Sequence, residues 1–247
     1  SNGFESDNNA AGDGTKPKTK ATFSNVTVIG PSGSATVNSN YKRAAHLRRN
    51  TELGIFNSVE IGKYPVGILI DGDSAVNNAI AGRLSVRNSF FYGMTKLLDT
   101  TKVTVPFDIN TWASGRAITT GSNAADAGLV DPFNLALPNP RPSATSPLLN
   151  AANFSDPRLT DPFYVQVGYA GAFGPSGDWT CPWAKFETAG CAASPESVVS
   201  GNISQNTTWT ADKTYVLNGF VYVTNCATLT IQPGTVIKGD KGSKGAL

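Results

Sequence analysis

Two aspartates stand two residues apart in the stretch ILIDGDS, at Asp71 and Asp73. On an extended strand that spacing puts both carboxylates on one face. With Arg48, Arg83 or Arg87 on neighbouring strands they would form a carboxylate–arginine set able to cleave sugar chains. A solvated turn at DGDS accounts for the same letters. A second cluster, Glu5, Asp7, Asn8, Asn9 and Asp13 in ESDNNAAGDG, packs oxygen ligands into one glycine-containing loop, which is calcium chemistry. It lacks the closing Glu of an EF-hand, and a flexible acidic turn is the competing reading. His46, in AAHLRRN, reads as a structural or surface residue beside Arg48 and Arg49 rather than a general base. No G-x-S-x-G is present to mark a serine nucleophile. Tyr92, Trp112 and Tyr169 are the aromatics to test as exposed platforms if the protein binds glycans.

Such groups need a scaffold that holds them in register, and the sequence contains a repeat. TFSNVTVIG (22–30), GIFNSVEIG (54–62) and SVRNSFFYG (85–93) align on an apolar residue two before an Asn and on a terminal Gly. The apolar positions are Phe23, Ile55 and Val86; the asparagines are Asn25, Asn57 and Asn88, spaced by 32 and then 31 residues. Short extended runs lie between them, and helical periodicity is poor. A repeat of this size, made of short strands, cannot bury its apolar face alone. Stacking coils about 4.8 Å apart solves that and pairs every internal strand on both sides. The expectation is an all-β chain, a right-handed parallel β-helix (a solenoid) with an irregular, aromatic-rich closing segment. Asn25, Asn57 and Asn88 would form a ladder of stacked amides, since Asn tolerates left-handed backbone geometry. Ordinary turn asparagines facing water are the alternative.

The pattern breaks after about Thr101. Pro, Asp and Ser dominate, and Phe133, Leu135, Leu149, Phe154, Phe163 and Tyr164 require burial, which points to a segment hugging the coils. Phe173, Trp179, Trp183 and Phe186 read as a lid over one end. The expected domains are 1–118 (coils), 119–197 (closing segment) and 198–247 (opening strands of a β-helix), with the break near 192–198. Cys181 and Cys191 could close a small disulfide loop in an oxidising compartment, leaving Cys226 over; three reduced cysteines are the alternative. The net charge of +2 gives no electrostatic case for nucleic acid or a membrane surface, and no run of about 18 apolar residues marks a membrane span.

These stretches carry a resemblance. SGNISQNTTWTADKTYVLNGFVYVTNCATLTIQPGTVIKGDKGSKGAL resembles the opening segment of large secreted right-handed β-helix proteins of Bacteroidota. YKRAAHLRRNTELGIFNS and ILIDGD resemble their later coils, and GAFGPSGDWTCPWAKF their closing segment. The resemblance implies an exported, cell-surface or matrix component. Two departures stand out. The family turn TNGATL has Gly where this chain has Cys226, and the opening segment follows the closing one. The chain therefore reads as the end of one β-helix and the start of another, or as a permuted or partial version of one.

The functional expectation is a non-enzymatic extracellular structural or adhesive protein, with neighbouring β-helix domains or other copies as partners. Stacking head to tail into filaments would complete open coil edges, and extracellular glycans would be held by rows of Thr, Ser, Asn and Tyr. The runner-up is a polysaccharide-active lyase or hydrolase around Asp71, Asp73 and Arg48, or a dedicated glycan-binding module. An ice- or mineral-surface binder would need a regular Thr array, which the first half lacks.

Overall fold

Each repeat is one coil of a parallel stack in the computed structural model, which describes residues 2–33, 36–176, 179–180 and 196–247. A strand of five or six residues is followed by two of three residues. The coils are β1 (Asn2–Ser6), β2 (Thr22–Ser24) and β3 (Thr27–Ile29); β4 (Arg43–Arg48), β5 (Gly54–Phe56) and β6 (Val59–Ile61); and β7 (Val66–Asp71), β8 (Ser85–Arg87) and β9 (Phe90–Tyr92). β10 (Lys96–Thr101) and β11 (Thr119–Gly121) make a fourth, partial coil. Helix α1 (Asp73–Ile80) links β7 to β8, and α2 (Ile109–Ser114) links β10 to β11. The coils give three parallel sheets: face A (β1-β4-β7-β10), face B (β2-β5-β8) and face C (β3-β6-β9-β11).

The aligned residues of the repeat are partners in space. Phe23 pairs with Ile55 and Ile55 with Val86 across face B. Ile55, Val86, Leu47, Ile68, Ile70 and Phe91 are fully buried between the faces, and Trp112 of α2 joins that core with its indole N–H donating to the Ala79 carbonyl at 3.3 Å. The repeat's last Gly has a steric reason at Gly62: its φ is +128°, and a Cβ there would lie 2.8 Å from the Gly30 backbone of the previous coil.

The asparagines occupy the corner between faces B and C with φ of +56°, +49° and +49° at Asn25, Asn57 and Asn88. Left-handed tolerance is thus their use, but the amide-on-amide ladder needs correction. The coil-to-coil links run through hydroxyls: Val26 N–H donates to Ser58 Oγ at 3.1 Å, and Ser58 N–H to Ser89 Oγ at 3.2 Å. Asn57 Nδ2 reaches the coil below by donating to Ser24 Oγ, which donates in turn to Asn25 Oδ1. The Asn-Ser pair repeated at 57–58 and 88–89 is the letter pattern that signals this arrangement.

Residues 122–134 and 138–175 strap this corner and the outside of face C. Asn57 Oδ1 accepts from Asn153 N–H at 2.8 Å, Asn25 Nδ2 donates to the Tyr169 carbonyl at 2.7 Å, and Tyr164 Oη donates to the Thr22 carbonyl at 3.0 Å. Val59, Ile61, Phe90 and Tyr92 are buried there with Ala127, Leu148 and Ala170, and Phe133 packs against them. The strap carries a short antiparallel pair, β12 (Leu129–Asp131) with β13 (Asn139–Pro142). Burial does not extend to every apolar residue of the segment: Leu135 is 88% exposed and Phe163 81%.

The chain divides into two compact units, residues 1–134 with 138–175, and residues 135–137 with 176–247. The second unit repeats the coil plan with β14 (Glu196–Ile203), β15 (Thr207–Trp209), β16 (Thr214–Val223), β17 (Leu229–Ile231) and β18 (Val236–Gly239). β14-β16-β18 form one parallel sheet and β15-β17 another. Trp209 stacks on Tyr215 at 4.6 Å to anchor its small core with Leu217 and Val221. Asn225 and Cys226 both have positive φ in the turn before β17, so Cys226 occupies the backbone conformation that favours the Gly of the family turn. Cys226 is exposed. Cys181, Cys191, Trp183 and Phe186 lie outside the described residues.

Candidate functional site

Parallel register brings the charged residues of the sequence together at the C-terminal end of face A. Arg48, the last residue of β4, lies beside Asp71, the last of β7, and Asp71 lies beside Thr101 of β10. The chain leaving β1 adds the acidic loop. Arg48 Nε donates to Asp7 Oδ1 at 2.6 Å and its Nη2 to Glu5 Oε1 at 2.8 Å, while Arg49 Nη1 donates to Asp7 Oδ2 at 3.1 Å. The hydrogen bond that Arg48 donates to Asp7 raises the guanidinium pKa above its ordinary value.

Asp71 has two cationic or ring partners. His46 Nε2 is 3.1 Å from its Oδ2, and Lys102 Nζ is 4.0 Å from its Oδ1. His46 is 3% exposed, and burial lowers its pKa more than the bond to Asp71 raises it, so the ring is neutral at pH 7. Facing a carboxylate, Nε2 carries the proton; Nδ1 is buried without a hydrogen-bond partner. His46 alternates with the core residues Ala45 and Leu47 on β4, so it lies on the same side of the strand as Arg48, and it contacts Asp71 from there.

Gly12, Arg48, Arg49, Asp71, Ser74 and Lys102 line a cleft of about 210 Å³. Pockets for drug-sized ligands run to roughly 300–1,000 Å³, so this one has room for a single sugar ring or a small polar group. Three cations (Arg48, Arg49, Lys102) face three carboxylates (Glu5, Asp7, Asp71), and the cluster is balanced in charge.

Asp73 does not share a strand face with Asp71. Gly72, at φ +88°, turns the chain, and Asp73 opens α1. Its carboxylate accepts from the Thr104 and Val105 N–H groups and the Thr104 hydroxyl, bonds that hold it below the usual carboxylate range. The paired-carboxylate geometry read from ILIDGDS is therefore absent.

The calcium reading fails on the donors. Glu5 and Asp7 are taken by the arginines; Asn9 accepts from Gly12 and Asp13 N–H, and Asn8 donates to the Asp13 and Thr15 carbonyls. Hydrogen bonds from Thr15 and Asn9 hold the Asp13 carboxyl down to about 2. These residues brace a loop and do not converge on a cation. Among the described residues no cluster of His, Cys, Asp and Glu is arranged to hold a metal ion.

The aromatic platforms also need correction. Tyr92 and Trp112 are each 6% exposed, Tyr92 beneath the strap and Trp112 in the core under the Arg116 guanidinium at 4.7 Å. Tyr169 is half-buried. The contributions of Arg49, Ser74 and Lys102 were not read from sequence, because the loop lengths that bring β1, β4, β7 and β10 into line are irregular.

Parallel coils on three faces define a solenoid of the β-helix class. The chain belongs to the pectate-lyase-like β-helix domain family, whose model matches residues 1–129 of 247. No curated protein and no solved structure matches it. No helix among the described residues is long and apolar enough to cross a membrane.

Proposed function

We propose that the protein is an extracellular surface component that holds glycan chains without cleaving them, using the cleft at the end of face A. The observation that carries this reading is the charge-balanced network of Arg48, Arg49, Lys102, Glu5, Asp7 and Asp71. Paired charges present both donors and acceptors to sugar hydroxyls, and each carboxylate already has a cation or ring as its partner. Membership in a pectate-lyase-like family and the polar, Ser-, Thr- and Asn-rich composition support an extracellular glycan role. Export in a Bacteroidota-type envelope is part of the proposal, supported by the wording of the repeats. Neighbouring β-helix domains or further copies are the proposed protein partners, head-to-tail filaments included, since parallel coils can add further coils by edge pairing.

A second reading, a lyase or hydrolase, is favoured by the 3.1 Å contact between His46 and Asp71 beside Arg48. Incubation with a panel of acidic and neutral polysaccharides separates the two. Retardation in gels containing the polysaccharide, with no new reducing ends and no unsaturated uronate absorbance, is expected. Product that accumulates with time and is lost in Asp71→Asn would establish the enzyme instead.

A further inference from the structure

The second unit displays an aromatic pair on its outer surface. Phe220 and Tyr222 alternate with the buried Val221 on β16 and are 60% and 57% exposed. Their ring centroids are 6.3 Å apart and the planes lie within 18° of parallel. Asn202 of β14 is the lateral neighbour of Tyr222, and the exposed residues preceding it in alternation are Ser200 and Val198. Asn218, two residues before Phe220 on β16, is also exposed, with Gly219 at φ +81° between them where the register with β14 shifts.

We propose that Phe220 and Tyr222 form a stacking platform for the rings of a neutral polysaccharide, with Asn202, Ser200 and Asn218 bonding its hydroxyls. An aromatic face takes the apolar C–H face of a sugar ring, and uncharged amides and hydroxyls at the margin suit the hydroxyls around it. An acidic ligand would call for cations, and the row Val198, Ser200, Asn202, Asn218, Phe220, Tyr222 has none. A docked protein would need about 800 Å² per partner, whereas aromatic side chains contribute only about 150–250 Å² each; Asn202 borders Tyr222 on one side and the small Ala246 borders Phe220 on the other. The inference rests on the glycan-binding reading above but uses different residues in a different unit.

The test is affinity electrophoresis of the full chain in gels containing soluble β-glucan, xylan or galactomannan, with four proteins: the parent, Phe220→Ala/Tyr222→Ala, Tyr222→Phe and Arg48→Ala. Far-UV circular dichroism checks that each is folded, and the exposure of both rings makes that the expected result. The double variant should lose about tenfold or more in affinity for at least one polymer, and Tyr222→Phe should remain within about threefold of the parent. Equal retardation of parent and double variant would overturn the platform, as would a parent that no neutral polymer retards. Loss of self-association in the double variant, with retardation unchanged, would reassign the rings to a protein contact. Retardation lost in Arg48→Ala alone removes the platform and keeps the cleft; lost in the double variant alone, it removes the cleft and keeps the platform.

Discussion

The two units use the same parallel coils yet bury their apolar residues very differently. In the first, Ile55, Ile68, Ile70, Val86 and Phe91 are 0% exposed, whereas in the second Val198, Phe220, Tyr222 and Ile231 are each more than 40% exposed. The second unit's core rests on Trp209, Tyr215, Leu217 and Val221. Alternating strands are common to both, so alternation does not by itself make a deep core. What the first unit adds is closure: α1 and α2 beside the coils, serine hydroxyls linking corners, and a strap over face C. The sealed unit keeps one edge of face A for its charged cleft, and the shallower unit leaves an aromatic face open.

The largest effect expected from breaking this contrast is in the sealed core. Phe91→Ala should cost about 3–5 kcal/mol and Leu217→Ala about 2–3 kcal/mol, each lowering the urea midpoint of its own unit. Equal shifts at both sites would mean that the two cores are equally well packed.

A smaller effect separates the units by pH. Glu60 is fully buried in β6 between Val28 and Phe91, with neither carboxylate oxygen hydrogen-bonded. Burial pushes its pKa well above the ordinary 4.5. A carboxyl with a raised folded-state pKa contributes its stability below the unfolded value and loses it as pH climbs through the folded value. The first unit should therefore weaken progressively above pH 4.5. Glu60→Leu should flatten that slope and raise stability at pH 8 by about 1–3 kcal/mol, read by denaturant unfolding at several pH values. A parent whose first unit is pH-independent from 5 to 9 would contradict the neutral buried acid.

The smallest effect belongs to the second unit. Cys226, at φ +55°, sits in left-handed geometry that costs an L side chain about 1–2 kcal/mol. Cys226→Gly should raise the second unit's midpoint by about 1 kcal/mol in equivalent stability and leave the first unit unmoved.

Much of the scaffold was legible in the letters, because a coil repeat puts equivalent residues in contact. Phe23, Ile55 and Val86 fall into lateral register as their alignment implies. The site was legible in part. Arg48 and Asp71 meet, since both end long strands of face A, but Gly72 turns Asp73 away into a helix. Local sequence gives no sign that a distant strap covers Tyr92 or that the core encloses Trp112. The acidic loop looked like a cation site because its arginine partners lie about forty residues away.

Hydrogen exchange measures occupation of the cleft most directly. The full chain is labelled with and without a soluble polysaccharide that retards it in gels. Protection is predicted at residues 46–49, 71–74 and 101–103, and it should vanish in Arg48→Ala. Protection elsewhere in the first unit, or none in that unit with the polymer bound, would contradict the assignment of the cleft as the glycan site.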